Sequence, residues 1–320
     1  MCVDNGYWNR ILVLADVHAR PTFPQKVIIE GVHPPGMDLI LVRYAEMGLK
    51  SVPVRRRFEK VLIDNLMAVM AEKRIEAIVE SERGRIYVKT DMIEEAMKPI
   101  SMVFGVASLS RVIETGASMD DMRSVTVAYS RTLLEKNDTF AMRVRRTGTH
   151  PFTSSDVARD VGAAVLEANR DREVTVDLDS PNVEIFVEVR NNRTFVFNEY
   201  VPGPGGLPMG SQGKILAVVE KERDVVAAWL MMKRGCKVVV VSSSNPVSSL
   251  LEAWDTALRV VGPAPFEKLI GDFRALAVAF GYGLEDFEEI KKLKLSVPAF
   301  FPLVGMSEEE ITKRFEAIRG

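Results

Sequence analysis

The side chains in this 320-residue chain best suited to hold a ligand are arginines. Across Thr139–Phe152, Phe140, Met142 and Val144 alternate with Ala141, Arg143 and Arg145. That is the period of a strand with one apolar face, so two guanidiniums project from the other face and Arg146 follows at its end. Guanidiniums at strand spacing suit a phosphate backbone, because each forms paired hydrogen bonds to phosphate oxygens. Arg43, Lys50, Arg55, Arg56 and Arg57 supply a second basic cluster, and Arg83 with Arg85 a third. The same arginines also fit an ordinary solvated face, offset by Glu46, Glu59 and Glu82. The 42 basic and 44 acidic residues leave a net charge of −2, so any nucleic-acid surface must be local.

Other chemistries are poorly provided for. Two cysteines, Cys2 and Cys236, cannot build a disulfide scaffold or a cysteine-rich zinc site, and His18, His33 and His150 are too scattered for a metal. Cys236 follows Gly235 at the start of an apolar strand with no histidine nearby, which reads as a small core residue. Ser242–Ser244 reads as a solvated loop, and Ser307 with Glu310 as the capping box of a last helix, Glu308–Ile318. Four glycines and three prolines crowd into Pro202–Gly210. A dinucleotide fingerprint must follow a strand and open a helix, whereas here the strand Ile215–Val219 comes afterwards, so the segment reads as a connector. In an α/β unit a nucleotide belongs at the turn after the first strand. Here that turn is Glu220, Lys221, Glu222, Arg223 and Asp224, with no glycine, serine or threonine and three carboxylates where a polyphosphate needs positive potential.

The elements that must position these residues fall into three units. Residues 1–36, broken by Pro21, Pro24, Pro34 and Pro35 around a short Val27–Glu30 run, are expected to be an appendage or a misassigned upstream start. From Met37 the pattern predicts a strand at Asp38–Tyr44 and a helix at Arg55–Lys73 burying Phe58, Leu62, Leu66 and Met70. A hairpin follows (Glu76–Glu80, Arg85–Lys89), then a helix at Met92–Met97 and a strand near Met102–Val106, the ferredoxin-like order over 37–110. The second unit, 111–208, predicts helices at Asp120–Leu134 and Ser154–Ala168 and strands at Thr139–Arg146, Glu173–Asp177, Val183–Val189 and Thr194–Tyr200. The third, 209–320, predicts buried parallel strands at Ile215–Val219, Lys237–Val241, Ala275–Phe280 and Val297–Val304, with helices at Val225–Lys233 and Ser248–Val261. The fold class is thus α/β and α+β, multidomain. The longest apolar stretch, Val225–Met232, is far short of a membrane span, and no signal peptide is visible, so a soluble, cytoplasmic protein is expected.

Several stretches carry a resemblance to a known family: Leu41–Lys50 (LVRYAEMGLK), Arg143–Thr147 (RVRRT) with Pro151-Phe152, Gly203–Ser211 (GPGGLPMGS), and Ala227–Gly235 (AAWLMMKRG) with Pro302–Met306 (PLVGM). From Met37 nearly to its end the chain resembles the tRNA 4-thiouridine synthetases, enzymes that thiolate a uridine at the bend between the acceptor and D arms. The resemblance implies a ferredoxin-like N-terminal domain, a THUMP domain that holds the tRNA acceptor end, and a Rossmann-like PP-loop domain. It implies tRNA as the partner, a homodimer, and tRNA contacts from Arg143, Arg145, Arg146, Thr147, Arg43, Lys50, Arg83 and Arg85. Active members of that family carry Ser-Gly-Gly-x-Asp-Ser after the first strand of the PP-loop domain. The span Glu220–Asp224 is one residue shorter and lacks both glycines, with Asp224 standing where the motif's aspartate would. Active members also use an acceptor cysteine, and many add a rhodanese-like domain with a second one. Here Cys236 sits at the wrong element, Cys2 lies outside the resemblance, and with the sequence ending at Gly320 no rhodanese-like domain is expected. The resulting expectation is a tRNA-binding module with no cofactor, presenting tRNA to a separate modifying enzyme or sulfur donor. The alternative is an active sulfurtransferase that uses ATP and Mg²⁺ at an altered phosphate site.

Overall fold

Apolar spacing in the sequence translates directly into the first domain. The structure, a computed structural model, describes residues 10–13, 38–44, 46–82, 84–243 and 246–319. Its first elements are β1 (Arg10–Val13), β2 (Asp38–Arg43), α1 (Val52–Glu72), β3 (Ala77–Glu82), β4 (Arg85–Thr90), α2 (Ile93–Ser101) and β5 (Ser108–Gly116). From β2 to β5 this is the ferredoxin-like order. The α1 stripe Phe58, Leu62, Leu66 and Met70 is buried as its four-residue spacing requires, packed over Ile40, Val42, Ile86 and Val88. β1 pairs antiparallel with β3 at the sheet edge. The rest of residues 1–36, including Val27–Glu30, His18 and His33, lies outside the described residues. The strand expected near Met102–Val106 is absent: those residues form a turn, with Gly105 at φ +102°, and the strand begins at Ser108.

The second domain continues with α3 (Met119–Leu133), β6 (Thr139–Thr147), α4 (Ser154–Ala168), β7 (Thr175–Val176), β8 (Val183–Arg190), β9 (Arg193–Phe197) and β10 (Val201–Pro202). Thr153 and Asp156 cap α4 reciprocally. The strand expected at Glu173–Asp177 shrinks to β7 because a 3-10 turn over Arg170–Arg172 and a left-handed Glu173 precede it. β5 pairs with β2 through Ser108–Val112 and with β9 through Ile113–Gly116. One strand therefore runs from the first sheet into the second, and the expected boundary at 110/111 falls within it. The joint sheet reads β1-β3-β4-β2-β5-β9-β8-β6-β7, with β10 on β5.

The third domain holds β11 (Lys214–Val218), α5 (Glu222–Lys233), β12 (Lys237–Val241), β13 (Arg259–Val261), α6 (Phe266–Phe273), β14 (Val278–Ala279), α7 (Phe287–Lys292), β15 (Ala299–Phe300) and α8 (Glu308–Arg319). The sheet is parallel, in the order β13-β12-β11-β14-β15, with apolar cores on both faces. The helix expected at Ser248–Val261 is instead a 3-10 turn (Pro246–Leu251) and the edge strand β13. Asp255, buried between them, accepts from Lys237 Nζ at 2.6 Å and from Ala257 N–H at 3.1 Å, which holds the chain in a turn.

The glycine-rich segment is the connector between the first and third domains. Gly105 N–H donates to Gly205 O (2.8 Å), and Leu207 N–H donates to Lys233 O (2.9 Å). Gly206, at φ +75°, lies so close to α5 that a Cβ would sit 2.1 Å from Lys233 O. No helix among the described residues is long and apolar enough to cross a membrane.

Candidate nucleic-acid interface and nucleotide crevice

The helices α1 to α4 all pack on one face of the joint sheet, and the other face carries Arg43, Arg85, Arg143 and Arg145. That second face folds on itself. Two strands, β2 and β5, lie between β4 and β9, a separation of about 14 Å in a flat sheet. Yet the Arg193 guanidinium sits 4.4 Å from the Tyr87 ring centre, and Tyr87, Phe195 and Phe197 are buried with no helix over them among the described residues. The fold-back encloses Glu188, 4 % exposed, and brings three guanidiniums onto it. Arg43 Nη2 reaches its Oε2 at 3.4 Å, while Arg85 Nε and Arg190 Nη1 each reach its Oε1 at 3.1 Å. Burial by itself raises the Glu188 carboxyl, but Arg85, Arg43 and Arg190 outweigh it and hold the group below its usual range. Burial pulls the Arg43 guanidinium down, with Glu188 opposing.

These contacts correct part of the expected interface. Arg43, 7 % exposed, also donates to Ser110 Oγ at 2.9 Å and lies 4.4 Å from the Tyr200 ring centre. It braces the seam between the first two domains and presents no guanidinium to solvent. Arg85 is held by the same carboxylate. Arg83 lies outside the described residues. Lys50 is exposed ahead of α1. On β6, Arg143 donates to Glu184 Oε1 (2.5 Å) and Leu178 O (2.9 Å), whereas Arg146 donates to Gly148 O (2.9 Å) beside His150. Arg145 and Thr147 are exposed. Arg145 has no ion-pair partner among the described residues, because its register partner Glu188 is already saturated. Sequence reading missed Glu188 and Arg193. Apart from Arg190 on the same strand, their partners stand between 79 and 145 residues away, so no local pattern marks the cluster.

In the third domain, strand order reverses at β11, which lies between β12 and β14; this is where open α/β sheets bind nucleotides. Only Val219–Lys221 separates β11 from α5. Asp224, in the first turn of α5, folds back so that its Oδ2 accepts from the N–H groups of Glu220 (3.0 Å) and Lys221 (2.9 Å). Glu220 Oε1 in turn accepts from Ser243 N–H and Oγ, both at 2.7 Å, beyond the end of β12. Ser242 is buried, whereas Ser243 is exposed, as expected of a solvated loop, though hydrogen-bonded to Glu220; Ser244 lies outside the described residues. After β14, Gly281 packs so tightly that a Cβ would meet Asp224 Oδ1 at 2.0 Å. Burial raises the Asp224 carboxyl, against the lowering effect of its two backbone donors. Beside it a cleft of about 490 Å³ is lined by Glu220, Lys221, Glu222, Arg223 and Glu308, and Arg223 is neutralised by Glu285 at 2.5 Å. Phosphates at a helix start need free N–H groups and positive potential. Here Asp224 occupies the N–H groups of Glu220 and Lys221 just ahead of the helix, and Glu220, Glu222 and Asp224 make the turn acidic, so the residues present fit the triphosphate of ATP poorly. Cys236, 6 % exposed, is a core thiol whose pKa burial pushes up.

A ferredoxin-like domain, a second domain sharing its sheet and a Rossmann-like parallel sheet define the architecture. Residues 39–110 match the ThiI ferredoxin-like domain family, and residues 116–199 match the THUMP domain family. The tRNA sulfurtransferase of Pyrobaculum aerophilum is 30% identical over 331 residues, covering 88% of this chain and 67% of that protein. The probable tRNA sulfurtransferase of Methanobrevibacter smithii is 38% identical over 214 residues, covering 65% of this chain and 54% of that one. Among solved structures, PH1313 from Pyrococcus horikoshii is similar with a TM-score of 0.77 and 28% identity, covering 88% of this chain and 99% of that one. A 4-thiouridine synthetase solved with RNA and ATP shares the fold at a TM-score of 0.69 and 20% identity, covering 88% of this chain and 85% of that one. The chain belongs to the tRNA sulfurtransferase family. It spans between about half and two thirds of the length of the curated relatives cited.

Proposed function

We propose that this protein binds tRNA at its acceptor end through the first two domains, and that its third domain is a closed PP-loop fold that neither binds ATP nor transfers sulfur. The observation that carries the reading is the Asp224 carboxylate seated on the backbone donors of Glu220 and Lys221, with Glu220 itself engaged by Ser243. An internal anion there takes the place of a phosphate. Family membership supports the tRNA half of the reading, and the exposed Arg145 supplies a free guanidinium on the THUMP sheet. A separate enzyme or sulfur donor then acts on the tRNA that this protein presents, and two copies associate as a homodimer. The active alternative requires Asp224 and Glu220 to release their hydrogen bonds before a phosphate can enter.

Titrating the full chain with tRNA across 50–200 mM salt tests the binding. Log affinity falls linearly with log salt, and Arg145→Ala reduces the slope by about one unit, as loss of one phosphate contact requires. No tRNA binding at 50 mM salt would end the reading, and an unchanged slope in Arg145→Ala would remove that residue from the interface.

A further inference from the structure

The joint sheet leaves one long strand edge open. On one side β6 pairs with β8 along Phe140–Thr147, but its other side pairs with β7 only at Thr139 and Phe140. Thr175 N–H donates to Asp138 O (3.0 Å) and Asp177 N–H to Phe140 O (3.1 Å), so the even-numbered residues of β6 aim their backbone groups outward. By strand alternation Met142, Val144 and Arg146 do the same. Their outward N–H and C=O groups have no hydrogen-bond partner among the described residues. The neighbouring chain leaves the edge at Asp177, whose Oδ1 accepts from the N–H groups of Asp179 (2.9 Å) and Ser180 (3.0 Å). That turn brings Leu178 O to Arg143 on the helix-free face instead of along the strand. Residues 141–147 of β6 are left with a free edge about 23 Å long.

The side chains along the edge decide what joins it. On the helix side Met142 and Val144 are apolar and only partly buried. On the other side Arg143 is neutralised by Glu184, and the next guanidinium, Arg145, is exposed without an ion-pair partner among the described residues. Arg146 ends the row, with Nη1 on Gly148 O and Nε buried without a partner. A second copy of β6 laid antiparallel and centred on Val144 sets Arg143 opposite Arg145, and like charges disfavour that pairing. An extended segment with apolar residues opposite Met142 and Val144 and acids opposite Arg145 and Arg146 satisfies both the side chains and the free backbone groups. We propose that the outer edge of β6 is a docking site for such an acidic segment of a partner protein, which adds to the sheet as a further strand. The inference does not depend on RNA binding.

The probes are fluorescent peptides reading Val-Thr-Ile-Glu-Asp and, for the antiparallel direction, Asp-Glu-Ile-Thr-Val, each flanked by Ser-Gly and titrated against the full chain by anisotropy. One of the two binds about tenfold more tightly than its counterpart with Lys in place of both acids. N-methylation of alternate residues in that peptide weakens it about tenfold in one phase and leaves it unchanged in the other, because only one set of N–H groups faces the strand. Val144→Pro deletes an outward N–H but no bond to β8, and weakens the peptide similarly. Thermal unfolding confirms that this variant is folded, and the N-methyl series needs no variant. Equal binding of the acidic and Lys peptides overturns the proposal, as does indifference to N-methylation in both phases. Two further results also overturn it. If neither peptide binds while Val144→Pro weakens tRNA binding, the edge serves RNA; if Val144→Pro dissociates a dimer, it serves a second copy.

Discussion

Arg43 and Arg145 are the same residue type on the same face of one joint sheet, and their surroundings set them to different work. Arg43 is locked on a carboxylate and two aromatic rings, whereas Arg145 stands free because the neighbouring carboxylate is taken. Removing one partner of a buried ion pair costs about 3–5 kcal/mol. Arg43→Ala therefore lowers stability in denaturant unfolding, by less than that because Arg85 and Arg190 stay on Glu188, in contrast to Arg145→Ala, whose expected effect is on RNA affinity. The Glu188 carboxyl is depressed below the unfolded value of about 4.3. Its contribution to stability is complete above that value and is lost as pH falls through the lower folded one. Melting of Glu188→Gln and wild type should differ most near pH 7 and converge below pH 4. A gap of constant size across that range would contradict the clamp. Strand alternation placed Arg145, with Arg143, on the polar face of its strand and left Arg43 in a separate basic cluster. It could not foresee which of them the curled sheet would enclose, since that depends on partners more than a hundred residues away.

At the scale of elements, α1, β6, α4 and α5 were legible because each buries one clean stripe or carries its own cap. Met102–Val106 shows where the reading ran out. The run is apolar because Phe104 leaves its own domain and packs against Trp229 and Trp254 of the third, at 5.4 and 5.5 Å, and a positive-φ glycine follows it. An apolar run marks burial without saying against which domain. Ser248–Val261 misleads for a related reason: Leu251 is buried without a helix, and Asp255 turns the chain through Lys237. The connector glycines are legible as breaks, but their purpose is close approach. Gly206→Ala combines a left-handed residue, costing about 1–2 kcal/mol, with a backbone clash at Lys233. Its expected result is a lower Tm and faster proteolysis within Gly203–Ser211. An unchanged Tm would show that the connector need not touch α5.

For the whole molecule, the domain classes were readable from the order of elements, while the joint sheet and the Phe104 anchor were not. Phe104 is 1 % exposed inside the core of a domain to which it does not belong. Phe104→Ala is expected to cost about 3–5 kcal/mol. It should separate unfolding into two transitions by calorimetry, whereas a single unchanged transition would deny the anchor its role. On the proposed reading the molecule keeps an arginine-bearing RNA face and seats its own Asp224 carboxylate where a nucleotide's phosphate would go. The most direct test is release of AMP and pyrophosphate from labelled ATP by the full chain with tRNA and a sulfide donor. Binding of tRNA with no release above background is the predicted result. tRNA-dependent release would contradict the account and return the protein to the active sulfurtransferases.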